Sequence, residues 1–197
     1  MDDFELDDYA AITHLIGFLG EDIDREGLTD TPERVLKAWK FFTKGYDEDP
    51  NDILKVFKED GENYDEMVFQ GSIPVFSTCI HHLLPFFGVA HVAYIPRPDG
   101  GICGLSKLGR VVDVFARRLQ VQEKLTHQVA DCLNEILDPL GVGVILKCRH
   151  MCMESRGIEK IGTVTITSSM RGAIKDEPEA RSEFLSFVHE SQQRTII

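Results

Sequence analysis

Two short stretches, far apart in the chain, hold residue types that bind metals and move protons. In Ser77-Thr78-Cys79-Ile80-His81-His82 a thiol stands two and three positions before a pair of imidazoles, and His150-Met151-Cys152 adds another imidazole and another thiol. Two thiols and one or two imidazoles are ligands that zinc prefers. Three protein ligands leave the fourth tetrahedral position for water, the mark of a catalytic site. The spacing predicts Cys79, His82 and Cys152 as metal ligands. His81 and His150 are left for proton transfer, because an imidazole titrates close to neutrality. The plainer account of the same residues is a set of buried thiols and hydrogen-bonded core histidines. Cys103, Cys132 and Cys148 are assigned to that class. The whole pattern points to a metal-dependent hydrolase.

The elements that must position these residues follow from periodicity. Ile12, Leu15, Ile16 and Leu19 form a helical stripe over residues 7–20, ending near Gly20. A second helix opens with Thr31 as N-cap and Pro32 at its first position, carries Val35, Trp39 and Phe42 on one face, and stops at Gly45. A short helix is expected around Asp52–Lys58. Residues 73–79 and 86–96 have strand composition, and Pro98-Asp99-Gly100-Gly101 closes the second run as a turn. Helices are predicted over 106–118 and 121–137, stopped by Pro139 and Gly141, then strands over 142–152 and 161–170. On such a strand Cys148, His150 and Cys152 project from one face. Pro178 starts a last helix, with Phe184, Leu185 and Val188 as packing residues. The order after residue 67 is strand, strand, helix, helix, strand, strand.

Composition narrows the function classes. A chain of 197 residues with 43% hydrophobic residues suits one domain with a helical annex, divided as an acidic helical region over 1–66 and a catalytic domain over 67–197. No apolar run is long enough for a bilayer span, and no secretory signal opens the chain. Five cysteines without such a signal imply reduced thiols in a cytoplasmic setting. The net charge of -12 is unevenly spread: residues 1–66 carry twenty acids against seven bases, and the remainder thirteen against fourteen. The metal-ligand candidates lie in the near-neutral part, with bases at Lys107/Arg110, Arg117/Arg118 and Arg156/Lys160, a local field suited to phosphate. No continuous basic stripe interleaved with aromatics is present, so nucleic acid is not an expected partner.

In several linked motifs the chain resembles the GTP cyclohydrolase I family. The resemblance rests on Cys79 to Gly88, Gly104-Leu105-Ser106-Lys107-Leu108-Gly109-Arg110, Arg117-Arg118-Leu119-Gln120-Val121-Gln122-Glu123 and His150-Met151-Cys152. Arg156-Gly157, Arg181 to Leu185 and Asp30-Thr31-Pro32-Glu33-Arg34 also fit. It spans roughly residues 8–190. The resemblance implies an α+β tunnel fold, an antiparallel four-stranded sheet with two helices, assembled into toroidal homodecamers with active sites between subunits. It also implies zinc as cofactor and conversion of GTP and water to 7,8-dihydroneopterin 3'-triphosphate and formate, a first step toward folate, biopterin or deazapurines. By the same resemblance Gln122 and Glu123 hold the guanine edge and Ser106 contacts the ribose. Lys107, Arg110 and Arg156 then grip the triphosphate, joined by Arg34 from the N-terminal helix.

One position departs from the family pattern, which reads Cys-Glu-His-His where this chain has Ile80. Isoleucine can neither accept a hydrogen bond nor carry charge. The departure implies altered handling of the sugar, with dGTP as a further substrate. The rival implications are a GTP- or dGTP-binding protein that keeps its metal as a staple, and another tunnel-fold activity such as nitrile reduction.

Overall fold

The computed structural model describes residues 4–57, 64–98 and 100–193. The chain divides into two compact units, Met1–Lys44 and Gly45–Ile197.

The first unit is a helical pair. Helix α1 (Leu6–Phe18) starts where the Glu5 N–H donates to the Asp8 carboxylate at 2.9 Å, and Gly20, at φ 87°, lies just beyond its end. Helix α2 (Thr31–Thr43) begins one residue earlier than its sequence suggests. Thr31 lies inside the helix and Asp30 is its N-cap: the Asp30 carbonyl accepts the first intrahelical bond, from the Arg34 N–H at 3.2 Å, while the Asp30 carboxylate pairs with the Arg34 side chain at 2.9 Å.

The second unit opens with α3 (Pro50–Ile53), capped by Asp49, whose carboxylate accepts from the Asn51 N–H at 2.9 Å. The helix expected over Asp52–Lys58 is thus shorter and earlier; Lys58 itself lies outside the described residues, as does Asp99 of the predicted turn. Strand β1 (Val56–Phe57) pairs with β4 (Ile102–Cys103) as a small antiparallel ladder.

The main sheet has the order β5-β2-β3-β6-β7. Its four long strands, β2 (Val68–Cys79), β3 (Pro85–Ile95), β6 (Gly141–His150) and β7 (Thr165–Arg171), are antiparallel, and β5 (Leu119–Gln120) adds a parallel pair at Thr78 and Cys79. Between β3 and β6 come α4 (Leu105–Ala116) and α5 (Gln122–Leu137). The molecule is α+β, and its long elements follow the strand-strand-helix-helix-strand-strand order.

The sheet buries side chains on both faces. On one, Val75, Phe86, Ala90, Val92 and Val144 pack with Leu108, Val112, Leu125 and Leu133 of α4 and α5. On the other, Ala93 and Ile145 meet Ile174 of α7 (Gly172–Asp176) and Phe184 and Val188 of α8 (Pro178–Gln193). Gly143 makes this second contact possible, since a Cβ there would come within 2.9 Å of the Phe184 ring. Leu185, expected to pack, is 45% exposed: it follows Phe184 around the helix and points off the sheet. Among the described residues no helix is long and apolar enough to cross a membrane.

Two expectations for the sheet require correction. Strand β6 ends at His150, and the chain turns at once into α6 (Met151–Glu154), so Cys152 lies on a helical turn rather than in line with Cys148. Arg149 fastens this turn, with Nε donating to the buried Glu154 carboxylate at 2.8 Å. Strand β7 starts at Thr165 rather than 161, and its first apolar member faces out: Ile166 is 62% exposed, whereas the Thr167 hydroxyl is turned toward α5.

A buried imidazole ties α8 to the sheet and gives a first testable consequence. The register of β2 slips between Gln70 and Ile73, turning the Ser72 N–H onto His91 Nδ1 at 3.3 Å, while Ser191 Oγ lies 3.1 Å from the same nitrogen. Burial, with the nearby Lys147 charge second, pushes His91 down to about 4. The unfolded chain titrates this group near its ordinary value of 6.5. Between those values the unfolded chain binds a proton that the native state does not, so stability falls as pH drops through this window, by up to about 3 kcal/mol. Urea unfolding midpoints at pH 7, 5.5 and 4.5 should decline, and His91→Gln should flatten the decline. An unchanged slope in the variant would show that other groups control it.

Candidate active site

Strand β2 delivers Cys79, 6% exposed, to the start of a tight turn. The Cys79 N–H donates to Leu84 O at 2.8 Å, the Leu83 N–H returns to Cys79 O at 2.9 Å, and Leu83 takes φ 54° to close it. The Ile80 N–H donates to Gln120 O at 3.0 Å, which fastens the turn to β5. Cys79 Sγ then lies 3.9 Å from His82 Nδ1 and 4.0 Å from His81 Nδ1.

The second stretch arrives through register. Phe86 pairs with His150, so the end of β6 lies beside the first residues of β3 and therefore beside the turn. One helical step later α6 presents Cys152. The ligand atoms of Cys79, His82 and Cys152 all lie within 4.8 Å of one another. A tetrahedral zinc with ordinary Zn–S and Zn–N bonds needs about 3.6 Å between a sulfur and a nitrogen ligand. The 3.9 Å between Cys79 and His82 is close to that. Neither thiol is tied up in a disulfide. Burial first, and then the Cys79 sulfur beside it, push the Cys152 thiol up, a cost that a divalent cation between the sulfurs would remove. The donor set and its spacing therefore fit a zinc ion.

The other thiols have a different environment. Cys148 faces the core at 1% exposure, and burial pushes it up to about 12; burial raises Cys132 to about 11 and also raises Cys103. They are core thiols.

His150 stands next to the cluster. Its ring stacks on Phe86 with centroids 4.7 Å apart and planes at 7°, and Nε2 lies 2.7 Å from Gln122 Oε1. Burial lowers its pKa, and the Glu123 carboxylate works against that shift. Glu123 is exposed at the first turn of α5. Arg156 is exposed beyond α6, near enough to draw the Cys152 thiol down. Gln122, by contrast, is 1% exposed, and its amide nitrogen faces Leu146 O, Thr165 O and Thr167 Oγ1 at 3.1–3.2 Å. Both amide hydrogens are committed inside the protein and leave no donor for a guanine edge. Phe86, Thr126 and Thr167 belong to this surround and carry no chemical signature in the sequence; they are recognisable only from the register that brings them to His150 and Gln122.

The GTP cyclohydrolase I family model matches residues 9–189, nearly the whole chain. This chain belongs to the GTP cyclohydrolase I family. The protein named GTP cyclohydrolase 1 from Janthinobacterium sp. (strain Marseille) is 53% identical over 189 residues, covering 96% of this chain and 93% of its own. The one from Nitrosospira multiformis is 56% identical over 172 residues, covering 87% and 89%. A solved structure of the archaeosine synthase QueF-Like in its apo form is similar at 20% identity and a TM-score of 0.43, over 54% of this chain and 93% of that one. The chain is thus an enzyme of the GTP cyclohydrolase I type.

For a GTP cyclohydrolase I chain, the remaining expected substrate contacts are placed unexpectedly. Leu119 pairs with Thr78, and a Cβ on Gly109 would touch Ile73 at 3.7 Å, so α4 runs along β2 in the same direction. Ile73 precedes Cys79 by six residues of strand, about 20 Å. The backbone of Ser106, Lys107 and Arg110 therefore lies at least about that far from the thiols of its own chain. Among the described residues no hydrogen bond or ion pair joins these three side chains to the cluster. Arg34, in the first unit, is paired with Asp30 at 2.9 Å.

Proposed function

We propose that this protein converts GTP and water to 7,8-dihydroneopterin 3'-triphosphate and formate at the Cys79–His82–Cys152 cluster, within the catalytic region 67–197. The observation that carries the proposal is the convergence of those three ligand atoms within 4.8 Å, beside an imidazole held on Phe86. Zinc bound there would supply a water activated near neutral pH and a Lewis acid. The protein's own part is proton traffic and grip. His150 and His81 flank the cluster and carry protons to and from the purine and the ribose as the rings open and close. Glu123 accepts from the guanine N–H groups, a charge-assisted pairing that an exposed carboxylate at a helix start can make. Arg156 takes part of the triphosphate.

The remaining contacts come from a second copy of the chain. Ser106, Lys107 and Arg110 lie too far along the sheet to reach the metal cluster of their own chain, and the sheet offers the means of bringing another chain's set to it. Among the described residues the outer edge of β7 has no strand partner, and the outer edge of β2 is covered only at Thr78 and Cys79. Two open antiparallel edges suit head-to-tail pairing into a closed ring. A toroidal homo-oligomer, a decamer by family resemblance, is the proposed assembly, and Arg34 joins the phosphate contacts there.

Incubation with GTP, with and without a chelator, tests the reaction. Formate and a fluorescent pterin should form, and both should stop when the metal is removed and return with zinc. GTP binding by the zinc-loaded protein without formate would favour a non-catalytic nucleotide-binding protein instead.

Ile80 supports a refinement. It is 49% exposed in the turn between two ligands, where an aliphatic surface replaces the expected carboxylate. A hydroxyl of the sugar gains no partner there, so loss of the 2'-hydroxyl should cost little. Wild type should turn over GTP and dGTP within about tenfold of each other, and Ile80→Glu should shift the kcat/KM ratio toward GTP by roughly tenfold or more. Equal ratios in the two proteins would remove Ile80 from sugar selection.

A further inference from the structure

The buried chain of hydrogen bonds behind His150 fixes which way the Gln122 amide points. Gln122 Nε2 faces Leu146 O at 3.2 Å and Thr165 O and Thr167 Oγ1 at 3.1 Å each. An amide turned end for end would set its oxygen against two backbone carbonyls, so the acceptors fix its orientation. The hydroxyls agree. Thr126 Oγ1 donates to Gln122 O at 2.7 Å, which leaves it to accept from Thr167 at 2.6 Å. Thr167 therefore gives its proton to Thr126 and meets Gln122 as an acceptor. With nitrogen on that side, Oε1 must be the atom 2.7 Å from His150 Nε2. An amide oxygen has no hydrogen to give, so Nε2 of His150 carries one. The stack on Phe86 holds the ring plane. Nδ1 has no hydrogen-bond partner among the described residues and is not one of their buried unpaired atoms.

We infer that Gln122 is a positioning residue, which holds the His150 ring in one orientation and presents it as the Nε2–H tautomer, with Nδ1 as the nitrogen left without a protein partner. The inference rests on the proposed role of His150 in proton transfer and replaces the expected contact of Gln122 with the base. The Nε2–H stays on Gln122 Oε1, so the ring cannot exchange its two nitrogens without breaking that contact. The amide is suited to this in a way a carboxylate is not. It accepts from His150 at one end and donates to the carbonyls of β6 and β7 at the other, where a carboxylate oxygen would meet them lone pair to lone pair.

The test is nitrogen-15 NMR of histidine-labelled, zinc-loaded enzyme, with His150→Asn used to assign the resonance, together with steady-state kinetics of Gln122→Leu. Wild-type His150 should show a protonated Nε2 and a bare Nδ1. Gln122→Leu should give a mixed tautomer signature and a kcat lowered by about 10- to 100-fold, with KM for GTP little changed. A bare Nε2 in the wild-type spectrum overturns the inference even if the variant fails to fold, and leaves the hydrolase reading standing. A Gln122→Leu enzyme with raised KM and unchanged kcat also overturns it, and returns Gln122 to the base. Full formate release by His150→Ala would instead remove the catalytic role of His150, and this inference would fall with it.

Discussion

Cys152→Ala is expected to lose the metal and, with it, formate release, while the fold survives. Four-ligand structural zinc sites bind with about 10–16 kcal/mol, so one ligand of several is worth roughly 3 kcal/mol and a hundredfold or more in affinity. At submicromolar free zinc that loss empties the site, and turnover should fall by about a thousandfold or to background. With zinc removed from both proteins, stability should hardly differ, because Cys152 lies half-buried on the short α6 turn and only fringes the core. Cys148→Ala is the matched comparison: a fully buried thiol two strand positions before His150, whose loss should cost about 1 kcal/mol and leave the metal in place. Zinc content after dialysis, formate yield and urea midpoints of both variants decide the matter. Zinc retained by Cys152→Ala at wild-type affinity would exclude it as a ligand.

The second large effect is expected at His150. General acid–base groups contribute about 10²–10⁴-fold, so His150→Ala should lower kcat by that order and still hold zinc. The variant should also lose stability for a reason unrelated to catalysis. Removing the imidazole leaves Gln122 Oε1 facing a space without its donor, worth about 1–3 kcal/mol if no water enters. Zinc content separates the two accounts of the activity loss. Metal lost together with activity would make His150 a ligand and would reopen the place given to His82.

The fold and the candidate metal cluster were legible in the sequence to different depths, for physical reasons. Long elements announce themselves through periodicity, as Leu125, Val129 and Leu133 do on α5 and the Val- and Phe-rich runs do on β2 and β3. The ligand types were legible because few residue sets have Cys and His at such spacing. The path of residues 149–154 was not. The strand-like alternation of Cys148, His150 and Cys152 continues past the point where the Arg149–Glu154 pair folds the chain into a helical turn, and that pair has no local pattern. The cluster forms even so, because the Phe86–His150 register brings the segment to the turn. In β7 the threonine side is the one turned to α5, since Thr167 is drawn inward by Gln122 and not by apolar burial, and composition alone does not tell which side that is. Two-residue ladders such as β1–β4 and β5 exist only through distant partners and leave almost no local trace. The place of Ser106, Lys107 and Arg110 depends on the direction of α4, which no motif encodes.

That direction bears on how the enzyme must be kept. On the proposed ring, no protomer owns a finished reaction centre: each supplies metal to one neighbour's cations and cations to another's metal. Dilution to lone chains would therefore extinguish turnover while every subunit stayed folded and loaded. Two crippled versions, one altered at Lys107 and one at Cys152, would partly heal each other when assembled together, since some junctions would inherit an intact half from each.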